Sequence, residues 1–386
     1  MFEDYEFIPE NKGKIEEVAF VSSPNRQDVP LLKSFIKTLP TVKVYVFAPS
    51  QFSLEKDYNY TTLDELKDFT KKNSNNIKLI MFPADCKRDR SLFSWARNSL
   101  ITLQKNNQSI IIPSLLSNYQ EYEYSLNLKD KLDHIEQETL DLYKPISFIK
   151  EIPLLKYFNS ADVLVTNDFL VIDYKVLIDF IMNNKDAQKI VPINDSSDFW
   201  KGSTKRKVNN NASSLKNLIR HELDSNLGDK QIIFVPAFGK HSAFYDLDTA
   251  LMPYADRSFF VASKVDKKIK DNLKEQGLEL TDYPCQLWNS FREPYIGVKL
   301  ADINVLQENY SGEKIVYLPN RINVSEKFVI AQGVEPIVSK RYYKSSQIKA
   351  IQLWEEKGFD VKLIDYSLDN CTGLRCAFQV LKRSYS

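Results

Sequence analysis

Residues 369–383 read DNCTGLRCAFQVLKR. A glycine-containing turn gives way to an apolar, strand-like run, and Cys376 stands where one passes into the other. A thiol at that place is poised at the rim of a sheet, with Arg375 and Lys382 nearby to favour the thiolate. The bland alternative is equally physical: a cysteine that opens a buried strand is more often packing material.

Upstream, short strand-like runs alternate with helical stretches over the whole chain. The strand candidates are rich in β-branched and aromatic residues, and several run into Pro or Gly. They include EEVAFVSS (16–23), VKVYVFAP (42–49), IKLIMFPA (77–84), SIIIPS (109–114), KQIIFVPA (230–237), RSFFVAS (257–263), EKIVYLP (313–319), EKFVIAQ (326–332), FDVKLID (359–365) and RCAFQVL (375–381). The stretches between them carry apolar residues at i, i+3, i+4 and i+7, the spacing of a helix with one buried face. These are residues 28–39, 63–72, 91–106, 128–143, 214–227, 266–277 and 345–358. Ser213 and Ser214 stand where N-caps are expected, and Gly358 where the last helix should stop. Residues 196–214, SSDFWKGSTKRKVNNNASS, read as an exposed polar loop. Nothing else resembles an interdomain linker, so a single α/β domain over 1–386 is expected.

Composition narrows the function classes. Hydrophobic residues make up 43% of the chain and aromatics 12%, enough for a sizeable core. Lys plus Arg number 52 against 51 Asp plus Glu, a formal charge of +1. Such a balance gives no electrostatic basis for nucleic acid or an anionic membrane as partner. The N-terminus, MFEDYEFIPENKGK, lacks a basic region followed by an apolar run, and no apolar stretch reaches bilayer length. With four scattered cysteines, three histidines and no C-x-x-C pair, neither a disulfide framework nor a structural zinc site is expected. A cytoplasmic protein is the simplest reading.

Three further clusters carry candidate chemistry. KHSAFYDLDTALMP (240–253) gathers His241, Tyr245, Asp246 and Asp248. Read as a strand, it points Asp246 and Asp248 to one face, and two carboxylates so close push one pKa up, a use in proton transfer. The alternative is a solvated strand end. SLFSWARNSLI (91–101) sets Trp95, Arg97 and Asn98 on a helical stretch, where a buried Trp on an amphipathic helix is the better explanation of this segment taken singly. NSADVLVTNDFLVID (159–173) reads as a β-hairpin with Asn167-Asp168 at its turn.

Taken in order, from about residue 15 onward, these segments resemble the agmatine deiminase and arginine deiminase family of guanidino-modifying enzymes, penteins with a five-bladed pseudo-symmetric α/β propeller. WARN (95–98) is similar to the family's Trp-x-Arg-Asp segment, with Asn98 for the Asp. Residues 159–173 resemble its Glu-Gly-Gly-Asp turn and hairpin, keeping Asp162 but carrying Asn159, Ser160 and Ala161 for Glu, Gly and Gly. YDLDTALMP (245–253) resembles its His-x-Asp pair, with Asp248 kept and Asp246 at the histidine position. GLRC (373–376) resembles the turn before its nucleophilic Cys, and VYLPN (316–320) with LWEEKGFDVKLID (353–365) resembles its final blade.

The resemblance implies a Cys376 thiolate attacking a guanidino or amidino carbon, with His241 or Asp246 moving protons. Asp248, Asn98, Arg97, Trp95, Asn159 and Asp162 are then the substrate-binding set. It implies a small-molecule substrate and no metal or organic cofactor, and it allows a homo-oligomer. Asn98, Asn159 and Asp246 depart from the family pattern, and the first two remove negative charge where a planar cation binds. A pentein-fold binding or scaffold protein without activity is the second expectation. A Rossmann-like transferase, suggested by EEVAFVSSPNRQD (16–28) before a helix, is the third, although the chain lacks G-x-G-x-x-G and P-loop motifs.

Overall fold

A parallel strand pair needs a crossover, whereas an antiparallel pair needs only a turn, and this chain uses both in the same small unit repeatedly. The computed structural model describes residues 5–22, 28–51, 61–85, 100–106, 108–113, 162–193, 202–235, 247–263, 265–284, 303, 305–320, 340–365 and 374–385. Over these residues the protein is mixed α/β, with five sheets of three or four strands. Each sheet contains an antiparallel pair, so no continuous parallel sheet of Rossmann type runs through the described residues.

Two compact units partition the chain. The first comprises residues 1–10 and 100–282, the second residues 11–99 and 283–386. In the first unit, β1 (Glu6–Phe7) lies beside the hairpin of β5 (Leu100–Lys105) and β6 (Gln108–Pro113). A second sheet joins β7 (Val163–Val165) antiparallel to β8 (Phe169–Asp173), and β8 parallel to β9 (Gln231–Val235). Four helices fill the crossover: α3 (Tyr174–Asn183), α4 (Lys185–Ile190), α5 (Gly202–Asn210) and α6 (Ala212–Leu227). The third sheet pairs β10 (Leu251–Pro253) with β11 (Ser258–Ala262), and after α7 (Lys267–Glu275) the chain returns as β12 (Glu279–Tyr283) beside β11. Phe7, Leu103, Leu170, Phe180 and Leu215 belong to one buried core.

The second unit repeats the pattern. β13 (Leu306–Tyr310) and β14 (Glu313–Asn320) form a hairpin, α8 (Lys340–Glu356) crosses over, and β15 (Asp360–Asp365) pairs parallel to β14. In its other sheet, β2 (Lys14–Val21), α1 (Asp28–Thr38), β3 (Lys43–Gln51), α2 (Leu63–Lys72) and β4 (Ile77–Asp85) alternate, with parallel pairing throughout. The antiparallel partner of β2 is the C-terminal strand β16 (Phe378–Ser384), which joins the two ends of the chain in one sheet. Phe378 stacks on Phe35 with centroids 4.0 Å apart and leans on Phe20 at 5.0 Å. Antiparallel pair, helix and parallel strand thus recur in three of the five sheets.

A buried polar network fastens the two sheets of the second unit. Glu308 accepts the Ile15 N–H and the Tyr317 hydroxyl, both at 2.6 Å, while the Arg383 guanidinium donates to the carbonyls of Gly13 (3.0 Å) and Gln307 (2.8 Å). Gly13 is at φ 84°, and a Cβ there would sit 2.9 Å from the Ser384 carbonyl, so only glycine fits. Burial, and then the hydrogen bond to Glu308, hold the Tyr317 hydroxyl far above its usual range.

Most sequence-based boundaries agree with the structure. Gly358 is at φ 81°; its N–H bonds Glu355 O and the Phe359 N–H bonds Trp354 O, a Schellman stop after α8. The hairpin turn closes at Asn167-Asp168, where Thr166 N–H donates to Phe169 O at 2.9 Å. Among the described residues only Asn106 and Ser311 are non-glycines at positive φ, so this turn is not of the primed kind. Three expectations are corrected. The helical stretch 91–106 contains strand β5, whose Ile101, Thr102, Leu103 and Gln104 are all buried, which hides any alternation. The supposed loop 196–214 contains α5 and the start of α6; Thr204 and Val208, four apart, give α5 a narrow buried stripe within a polar composition. Ser213 and Ser214 are consequently in the first turn of α6 rather than capping it. Residues 128–143 and 326–332 lie outside the described residues. Among the described residues no helix is long and apolar enough to cross a membrane.

Candidate functional site

Two of the sequence-derived site residues meet through the backbone in the first unit. Asp162 directly precedes β7 and is 0% exposed. Its Oδ1 accepts the N–H of Leu247 at 3.1 Å, and Leu247 opens the 3-10 turn Leu247–Thr249 that carries Asp248, also 0% exposed. The turn closes with Ala250 N–H on Leu247 O at 2.9 Å and leads straight into β10. Asp248 therefore sits in a turn and not in a strand, which corrects the alternation argument for residues 245–253. Asp162 gives the Leu247 N–H a buried acceptor where the turn leaves it without a strand partner.

The far ends of the same two hairpins are also joined. Thr166 Oγ1 donates to Asp256 O (2.8 Å), Asn167 Nδ2 to Asp256 Oδ2 (3.1 Å), and Arg257 Nε to Asp168 Oδ2 (2.6 Å). The β7–β8 and β10–β11 hairpins are thus joined at both ends. Chemically, this brings two buried carboxylate residues from distant parts of the chain to one turn. Buried carboxylates favour cationic or multiply donating neighbours.

Cys376 belongs to the second unit. Its backbone lies in the short helix α9 (Leu374–Ala377), immediately before β16. The expected strand therefore begins two residues later than the cysteine. Leu374, Arg375 and Ala377 are buried, and α9 lies against β14 and β16. Arg375, 3% exposed, remains a cation adjacent to Cys376 in the chain. Lys382, expected near the thiol, is engaged elsewhere: its Nζ pairs with Glu16 Oε2 at 2.9 Å, and that hydrogen bond holds the ammonium above the usual lysine range. Four strand residues beyond Phe378, it is also about 13 Å along β16.

Trp95, Arg97, Asn98, Asn159, His241 and Asp246 lie outside the described residues. Among the described residues no group of three or more His, Cys, Asp or Glu is placed to hold a metal ion. Sequence reading missed a further polar cluster in the first unit, formed by Lys216, Arg220 and Gln276 around a cavity. Its only sequence signal is the i, i+4 spacing of the two cations on α6.

No protein-family model matches the chain, and no curated protein matches it in sequence. Among solved structures, SxtG, an amidinotransferase from Microseira wollei in the saxitoxin biosynthetic pathway, aligns with 99% of this chain and 98% of its own. The alignment has a TM-score of 0.44 and 11% sequence identity.

Proposed function

We propose that the chain is a divergent pentein in which the five small sheets are the blades of a pseudo-symmetric propeller. The recurrent unit of antiparallel pair, helix and parallel strand supports this, as does the pairing of the first long strand with the last. The activity is Cys-dependent hydrolysis or amidino transfer at a guanidino-type C–N bond of a small molecule. The observation that carries the reading is the Asp162–Leu247 hydrogen bond. It joins two separate sequence motifs, each of which keeps its acidic residue, at one turn.

In this chemistry the Cys376 thiolate adds to the central carbon and forms a C–S bond. The departing amine takes a proton as its C–N bond breaks, leaving an amidino-S-cysteine. Water or an acceptor amine then attacks the same carbon, gives up a proton, and releases the thiolate. His241 or Asp246 carries the protons. Asp248 and Asp162 supply negative charge for the cation, with Trp95, Arg97, Asn98 and Asn159 completing the binding set. Incubation with arginine, agmatine and related donors, followed by intact-mass measurement, should reveal an adduct confined to Cys376 and absent from Cys376→Ser.

The second reading is an inactive pentein-fold binding or scaffold protein. It is favoured by the structural use of the Asp162 carboxylate on a backbone N–H, and by Asn98, Asn159 and Asp246 at positions where the family carries Asp, Glu and His. Under it no donor leaves an adduct, and guanidino compounds bind without turnover or not at all.

A further inference from the structure

Among the described residues, strand β9 is the edge of its sheet. Gln231 N–H points to the β8 side, where it donates to Asp168 O at 2.7 Å. Phe234 points the other way: its N–H and C=O are both taken by the side-chain amide of Gln276, at 3.3 and 2.9 Å. Backbone groups alternate along a strand, so the N–H of Ile232 also faces outward. Gln276 thus covers the edge at Phe234 and leaves it open at Ile232.

A cavity of about 320 Å³ lies at that opening, lined by Lys216, Asn217 and Arg220 of α6, by Gln231, Ile232 and Ile233, and by Gln276. The volume is at the lower end for small-ligand sites. The two cations are four apart on one helix face, and among the described residues no carboxylate lines the cavity. Lys216 is held in place: its Nζ donates to Gln276 Oε1 at 3.1 Å and lies 5.2 Å from the centre of the Phe234 ring. Arg220 is steadied by donating Nη2 to Lys230 O at 2.6 Å. The nearby Lys230 is neutralised by Glu6 at 3.1 Å, so the positive character belongs to Lys216 and Arg220.

We propose that this cavity binds a small organic carboxylate, with its acid group on Lys216 and Arg220 and its carbon body along the strand edge at residues 231–233. An oxygen of the acid group is also offered the outward N–H of Ile232. Burial holds the Lys216 ammonium below the usual lysine range, and a bound anion would raise it again. This site shares no residue with the chemistry assigned to Cys376, Asp162 and Asp248.

The test uses butyrate as probe and inorganic phosphate as a second arm, each titrated into the full chain by calorimetry. In parallel, trace acetylation with acetic anhydride is read at each lysine by peptide mass. Butyrate should saturate in the millimolar range or tighter and slow acetylation at Lys216 selectively, because the charged amine is not nucleophilic. Lys216→Met and Arg220→Ala should each weaken binding by about tenfold or more. Selective protection on the unaltered chain supports the site even where a variant fails to fold. The proposal is overturned by no saturation, by binding that both folded variants leave unchanged, or by phosphate binding without butyrate binding.

Discussion

Asp162 and Asp248 meet at one turn, and substituting each tells a structural from a binding role. Asp162 provides the acceptor for a buried backbone N–H, so Asp162→Ala strands that donor and should cost about 1–3 kcal/mol of stability, measured by chemical denaturation. Asp248→Asn keeps the volume and removes the charge. It should abolish reaction with guanidino compounds while moving the unfolding midpoint less than Asp162→Ala does; the reverse order would make Asp248 a structural residue. Both acids were legible in sequence as motif members. The 3-10 turn between them was not, because a short run such as DLDTALMP has the same apolar alternation in a turn as in a strand. Burial also raises the Tyr174 hydroxyl from its usual 10.0 to about 12, and raises Tyr317 further. The fold therefore prefers neutral tyrosine. That contribution is whole below about pH 10 and is lost as pH rises towards about 12. Denaturation midpoints should fall between about pH 10 and about pH 12, and less steeply in Tyr174→Phe.

At the scale of elements, strand β16 decides the second unit. Phe378, fully buried between Phe35 and Phe20, fixes it to β2 and α1. Phe378→Ala should cost about 3–5 kcal/mol and release amide protection in β2 and β16 first, as seen by hydrogen exchange. Unchanged protection there would mean that β16 is held by its hydrogen bonds alone. The long amphipathic helices α1, α2, α6, α7 and α8 were legible because each buries a stripe at helical spacing. Helix α5 was hidden by its Lys, Asn and Ser content, since only Thr204 and Val208 mark its inner face. Strand β5 was hidden for the opposite reason: burial on both faces leaves no period to read.

For the whole molecule, sequence showed the α/β class through its alternation of strands and helices, but not the grouping of strands into sheets. β1 pairs with β5 and β2 with β16, partners distant in the chain, and no local pattern records such pairings. The single-domain expectation over 1–386 becomes a proposal about cooperativity between the two compact units. It expects Trp354→Ala, which empties a buried site beside Phe359 in the second unit, to lower the unfolding midpoint recorded by β8 amides in the first unit as much as that recorded by β2. Two separated transitions would make the units independent domains.

The central claim concerns the thiol of Cys376, and its reactivity is the most direct test. Labelling by a thiol reagent across a wide pH range, resolved by peptide mass among the four cysteines and compared with Cys376→Ser, measures it. Fast labelling at Cys376 alone, with an apparent pKa well below the ~8.5 of a free thiol and slowed by guanidino compounds, is the expected result. Slow labelling, or labelling only once the chain is unfolded, would show an inert core cysteine and contradict the assignment.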